Sequence, residues 1–209
     1  MWIERPPGWF RKLFPGVVFK MPTSGEDPGV VYLTFDDGPI PEATPWVLDT
    51  LDKFDAKATF FMVGQNIERY PWLKEEVVKR GHIVANHTLH HIRGLKVTAE
   101  DYLKDAEECE RYTGSKLLRP PHGWLTPSQL KELKKHYTVV MYDLVTRDYS
   151  DRITADDVVK NVKKYTRDGS IIVFHDSLKS IDKLKFALPA ALGWLKETGY
   201  ATALLSPKE

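Results

Sequence analysis

The chain has 209 residues, of which 42% are hydrophobic and 28% charged, with a formal net charge of +1. That length fits one domain, or one domain with a small appendage, and is long enough to bury a core. The charge balance gives no ground for a nucleic-acid or anionic-membrane partner, the single Cys109 excludes an internal disulfide, and no apolar run is long enough for a transmembrane helix. The N-terminus lacks a signal-peptide core, because Glu4, Arg5, Arg11 and Lys12 interrupt Trp2, Ile3, Trp9, Phe10, Leu13 and Phe14. On that ground the protein is expected in the cytoplasm.

Residues 1–30 are rich in aromatics, Pro and Gly. They read as an arm that packs its aromatics on the main domain, residues 31–209. A membrane-surface anchor is the other reading, but Pro6, Pro7 and Pro15 prevent one long amphipathic helix. Val31 to Phe35 reads as a strand, ended by Asp36-Asp37-Gly38-Pro39. Pro41 to Phe54 has helical spacing of apolar residues, and Lys57 to Val63 reads as a buried strand. Tyr70 to Arg80 is the next helix, closed by Gly81. A short strand, His82 to Ala85, leads into Asn86-His87-Thr88-Leu89-His90-His91. Thr98 and Asp101 resemble a capping box for a helix that continues over Tyr102 to Tyr112. Leu117 to Arg119 is a short strand, stopped by Pro120-Pro121. Thr126, Pro127 and Gln129 start another helix. Tyr137 to Tyr142 reads as a strand, and Thr154 caps a helix to about Thr166. The strand Ser170 to Phe174 ends at His175-Asp176, and the helix Leu184 to Glu197 precedes a last strand, Tyr200 to Leu205. Strand and helix alternate, which predicts a parallel α/β architecture. Asp36, Asp37, His87, His91, Arg119, Asp148 and His175 all fall at or just past the carboxyl end of a predicted strand, the rim where such folds assemble active sites.

Two adjacent carboxylates beside an apolar strand repel each other and are costly to desolvate. A bound cation removes that penalty; a turn with both side chains in water avoids it. Asp36-Asp37 alone leaves both readings open. His87 and His91 are four apart, the spacing that puts both on one face of a helical turn, with His90 pointing elsewhere. Two His and one Asp make a metal site with open positions for water and substrate, and the other Asp is then free as general base. In Arg119-Pro120-Pro121-His122-Gly123-Trp124 neither proline has an N–H, so the first free backbone donor is that of His122, suited to holding an oxyanion.

Taken together, these segments resemble the polysaccharide deacetylases, the NodB-homology or carbohydrate esterase 4 family. Thr34 to Gly38 matches its first motif and His87-Thr88-Leu89-His90-His91 its H-[ST]-x-x-H motif. Arg119 to Gly123 resembles the third motif, Asp143 to Tyr149 loosely the fourth, D-x-x-D-W, and Val173-Phe174-His175 the fifth. The resemblance implies a distorted (β/α) barrel of the NodB-homology type and a metal-dependent deacetylase acting on an acetylated saccharide, foremost one containing N-acetylglucosamine. It implies that Asp36 is the general base, Asp37 the metal ligand with His87 and His91, and Arg119 the group that positions Asp36. It implies that His175 is the general acid, oriented by Asp148. The residues themselves do not tell Asp36 from Asp37. On the substrate side it places His122, Tyr149, Val173 and Trp124, with Tyr149 where Trp is usual, Val173 where Leu is, and His122 where Tyr is common. The ligand set suits a divalent metal, zinc first, cobalt or nickel next. An O-acetyl esterase or cyclic-amide hydrolase would keep the same site, and a non-catalytic saccharide-binding protein is the rival of another class. A monomer is expected.

Overall fold

The structure, a computed structural model, describes residues 4–206. Trp2 and Ile3 of the arm, and residues 207–209, lie outside the described residues. In chain order the elements are α1 (Gly8–Lys12), β1 (Val30–Asp36), α2 (Thr44–Lys53), β2 (Ala58–Met62), α3 (Gly64–Arg69), α4 (Pro71–Lys79), β3 (Ile83–Asn86) and α5 (Ala99–Thr113). Then follow β4 (Leu117–Leu118), α6 (Pro127–Leu133), β5 (Thr138–Val139), β6 (Leu144–Val145), α7 (Ala155–Tyr165), β7 (Ile171–His175), α8 (Ile181–Glu197) and β8 (Ala201–Thr202).

The strands form one parallel sheet in the order β5-β4-β3-β2-β1-β7-β6, with β8 beside the start of β1. A flat sheet of seven strands would hold its edges about 29 Å apart. Here the edge strands β5 and β6 are consecutive in sequence, and the short link between them reaches at most about 17 Å. The sheet therefore curls toward closure. The arm fills the remaining gap: Val18 N–H donates to Val139 C=O at 2.9 Å, and Met141 N–H to Val18 C=O at 2.7 Å. On the other side Met21 N–H donates to Gly169 C=O at 2.9 Å. The edge of β5 is thus paired rather than open to another chain.

Strand alternation sorts the side chains. Leu33 and Phe35 of β1, Phe60 of β2 and Ile172 and Phe174 of β7 face the helices. Phe60 and Phe174 stack on Phe35 at 5.1 and 5.6 Å between ring centroids. Burying such a side chain stabilises the fold by roughly 1.5–3 kcal/mol. The opposite face carries Thr34, Asp36, Phe61 and Val173 toward the barrel interior. The register Asp36↔His175 and Met62↔Asn86 levels the strand ends, so chemistry-bearing residues emerge at one rim.

The helix expected from Pro41 begins at Thr44, because the chain turns over Ile40–Ala43 first. Gly64 opens an additional helix, α3, between the expected strand and the helix from Tyr70. The strand read over Tyr137 to Tyr142 is regular only at β5, continues as a single bridge between Val140 and Val18, and β6 follows it unannounced. Both capping residues Thr126 and Thr154 make reciprocal capping boxes; Thr98 accepts from Asp101 N–H at 3.1 Å. Among the described residues no helix is long and apolar enough to cross a membrane.

Candidate active site

At the end of β1 the backbone turns at Asp37, whose φ is +78°. This left-handed step brings both carboxylates to one cavity. Asn66 Nδ2 donates to the Asp37 carbonyl at 2.8 Å and Val63 N–H to the Gly38 carbonyl at 2.9 Å, fixing the turn. Asp37 Oδ1 lies 3.0 Å from His91 Nε2 and 3.6 Å from His87 Nε2. Donor atoms of the three residues all lie within 4.8 Å of one another. Burial pushes the Asp37 carboxyl up, but the facing His87 and His91 rings hold it well below the usual carboxylate range.

The two histidines do not share a helical turn, as the four-residue spacing had predicted. Residues 87–91 form a loop in which Thr88 and His91 take left-handed φ values of +63° and +53°. Asn86 shapes it, accepting from Thr88 N–H at 2.8 Å and donating to the Ala106 carbonyl at 2.8 Å. Asp105 of α5 accepts from Leu89 and His90 N–H and from the His90 ring, which is turned outward. The His87 Nδ1 sits 2.7 Å from the Arg119 carbonyl, which fixes the tautomer that leaves Nε2 free as a ligand.

Arg119 is buried, with its guanidinium stacked 4.0 Å over the Phe61 ring. It donates to Asp36 Oδ1 at 2.6 Å, to the Thr34 hydroxyl at 2.8 Å and to the Met141 carbonyl at 3.0 Å. This is a charge-assisted clamp on Asp36. Across the cavity, Asp148 holds His175 twice, through the ring Nδ1 at 2.7 Å and the backbone N–H at 2.7 Å. Burial lowers the affinity of the ring for a proton, yet the Asp148 carboxylate outweighs it and His175 is raised to about 9.

Asp36, Asp37, His87, His91, Arg119 and His175 line one cavity of about 210 Å³, while Asp148 holds His175 from outside that lining. Its apolar wall comes from Met141, Tyr142, Val145, Tyr149 and Val173. Pro120, His122 and Gly123 form another side, His122 at φ +59° and 4.7 Å from the His91 ring. Among the described hydrogen bonds none uses the His122 N–H. Trp124 lies outside the cavity lining and is exposed. Asp143, at the head of the loosely matching fourth segment, is also outside: it binds Arg11 at 2.6 Å, Arg167 at 2.7 Å and Ser170 at 2.7 Å. Thr34, Met141, Val145 and Lys179 contribute to the site or its clamp and were not foreseen. Of these, Thr34 had a signal in the sequence, since it shares the inward strand parity of Asp36.

Behind the apolar wall, Phe10, Phe14 and Val17 of the arm pack on Phe19, Met141, Tyr142, Val145 and Val173. Glu4 accepts Val145 N–H through its carbonyl at 2.8 Å and pairs with Arg147 at 2.6 Å.

The family model described as polysaccharide deacetylase matches residues 23–140. A peptidoglycan-N-acetylglucosamine deacetylase of Bacillus cereus is 34% identical over 185 residues, 85% of this chain and 86% of that protein. A chitooligosaccharide deacetylase of Sinorhizobium fredii is 35% identical over 164 residues, 75% of this chain and 76% of that protein. Other curated relatives are longer, and this chain spans 56% of one and 32% of another. The crystal structure of the Bc1960 peptidoglycan N-acetylglucosamine deacetylase superposes with a TM-score of 0.80 at 31% identity, covering 95% of this chain and 94% of that one.

Proposed function

The chain belongs to the polysaccharide deacetylase family, with that family's distorted (β/α) barrel, and we propose that it is a metal-dependent hydrolase removing N-acetyl groups from N-acetylglucosamine-containing saccharide. One observation carries this reading. A single cavity holds a carboxylate-imidazole-imidazole cluster, a second carboxylate clamped by a buried arginine, and an imidazole held protonated by a third carboxylate.

The donor set fits a metal. Asp37, His87 and His91 offer two nitrogens and one oxygen converging on the cavity, and the Arg119 carbonyl orients the His87 ring. Three protein ligands and an open side suit a catalytic zinc, with cobalt or nickel the alternatives. When bound, such a metal supplies Lewis-acid polarisation of the acetyl carbonyl and acidifies water.

The chain's own groups supply the rest. Asp36, held by Arg119, accepts a proton from the attacking water as general base. His122 lines the cavity, and its backbone N–H is the proposed donor for the developing oxyanion. The His175 Nε2, on the far side of the ring from Asp148, donates a proton to the departing amine. The apolar wall takes the acetyl methyl, with Tyr149 and Val173 in its lining. Trp124 is proposed as a saccharide contact at the exposed rim. Residues 1–30 are proposed as an arm on the catalytic domain 31–209, because the arm backs that wall.

The test is zinc content of the purified protein together with acetate and free-amine release from chitooligosaccharide and peptidoglycan fragments. One bound zinc and stoichiometric acetate and amine are expected. Zinc-loaded protein that releases neither overturns the reading in favour of saccharide binding alone, and release confined to O-acetyl substrates overturns the amide assignment.

A further inference from the structure

The residue after the general acid is also a carboxylate, and it serves neither the cavity nor an ion pair. Asp176 is fully buried, lines no part of the cavity, and has no basic partner among the described residues. A buried carboxyl without a cation is costly unless its oxygens are used. Both are: Oδ1 accepts the Gly38 N–H at 3.2 Å and Oδ2 the Thr44 hydroxyl at 2.5 Å. The Asp176 N–H in turn donates to the Asp36 carbonyl at 3.2 Å. The Thr44 hydroxyl accepts from Ile40 N–H at 2.8 Å, so the first residue of α2 closes the loop that starts at Asp36.

Gly38 marks how close this approach is. Its φ is not in the left-handed region, so backbone freedom does not explain it. A Cβ there would fall well inside van der Waals contact with the Asp176 carboxylate. Asp37, by contrast, is a non-glycine residue in the left-handed region, an unfavourable state that persists only where its surroundings determine it. Asp176 restrains it through the next residue's Gly38 N–H, as Val63 does through the Gly38 carbonyl and Asn66 through the Asp37 carbonyl itself.

We propose that Asp176 is a positioning residue for the reaction: it clasps the Asp36-Asp37-Gly38 turn to β7, keeping Asp37 against His87 and His91 and Asp36 against Arg119 while His175 stays level with both. This rests on the roles given to Asp36 and Asp37 above. A group that only stabilised the fold would set the melting temperature and leave the folded protein's metal affinity alone.

The experiment measures zinc affinity by competition with a chromophoric chelator, kcat and KM on chitooligosaccharide, and melting temperature. The variants are Asp176→Ala, Asp176→Asn and Thr44→Val. Asp176→Ala is expected to bind zinc at least about tenfold more weakly, as loss of outer-shell support does, with kcat reduced and KM little changed. Asp176→Asn keeps an acceptor for Gly38 N–H and an amide N–H toward the Thr44 hydroxyl, and is expected to recover most of that affinity. Where the alanine variant does not fold, Thr44→Val carries the test, with a smaller loss in the same direction. A folded Asp176→Ala or Thr44→Val that binds zinc as wild type does, with only its melting temperature lowered, overturns the positioning role. Wild type that binds no zinc overturns the parent reading and this one with it; wild type and variants that bind zinc equally overturn this one alone.

Discussion

Replacing Asp148 by Asn keeps the shape of its side chain and removes its charge. His175 stands at about 9 because that carboxylate outweighs burial. Without it, burial is opposed only by the Asp37 and Asp36 carboxylates, and the ring falls back toward the ordinary 6.5. At about pH 8 the protonated fraction then falls from about nine-tenths to a few hundredths, so kcat/KM on an N-acetyl substrate falls about thirtyfold. Near pH 6 the loss is much smaller. The assay is the pH–rate profile of kcat/KM, whose alkaline limb moves from about 9 to lower pH in the variant. An activated aryl acetate, whose phenolate leaves unaided, is the control and should lose far less, both here and in His175→Ala. An unmoved alkaline limb, or equal losses on amide and aryl ester, refutes the general-acid role. The pair also contributes to folding: a ring raised above its unfolded value stabilises fully below 6.5 and ceases to do so as pH rises through about 9. That contribution amounts to about 3 kcal/mol, and denaturant unfolding on either side of that window measures it.

His87→Ala and His91→Ala should lose zinc and activity together, whereas His90→Ala, whose ring is turned to Asp105, should keep both; zinc stoichiometry decides, and retention at His91 with loss at His90 refutes the chosen pair. Asp37→Asn should weaken zinc binding, while Asp36→Asn should keep zinc and lose about 100-fold or more in kcat; the reverse pattern would exchange their roles. Asp143 is buried against that cost by Arg167, Arg11 and Ser170, which hold it down at about 2. Asp143→Asn should therefore lower stability at neutral pH by about 2 kcal/mol. By sign, a depressed carboxyl contributes above its unfolded value and loses that contribution as pH falls toward about 2; a urea-unfolding difference that does not shrink as pH falls below 4 refutes the assignment.

The strands that carry the site were legible because they are long, apolar and stopped by chemistry-bearing residues. β1 and β7 read as Val31 to Phe35 and Ser170 to Phe174 in the sequence and keep nearly those limits in the fold. What failed was local geometry set by distant partners. His87 and His91 converge through left-handed backbone that Asn86 and Asp105 impose, and a four-residue spacing carries no trace of that. β6 is two residues long and exists only because β7 lies beside it. Asp143 looks like the head of a catalytic motif, yet its charge is consumed by arginines from the arm and from Arg167. Whether two adjacent carboxylates sit in water or converge on a cavity depends on a single φ value at Asp37.

The arm imposes an order on biosynthesis. Val18 and Met21 leave the ribosome well before their hydrogen-bond partners, Val139, Met141 and Gly169. Pairings this distant in sequence form late, since the loop they close is long. Until then Phe10 and Phe14 have no wall to rest on, so the nascent chain passes through a stage that is prone to association. A partner fused ahead of Glu4 that restrained this segment would yield a protein whose ligands Asp37, His87 and His91 still assemble on their own strands. The apolar wall proposed to take the acetyl methyl would meanwhile lack its backing, so such a fusion would bind metal and turn over poorly.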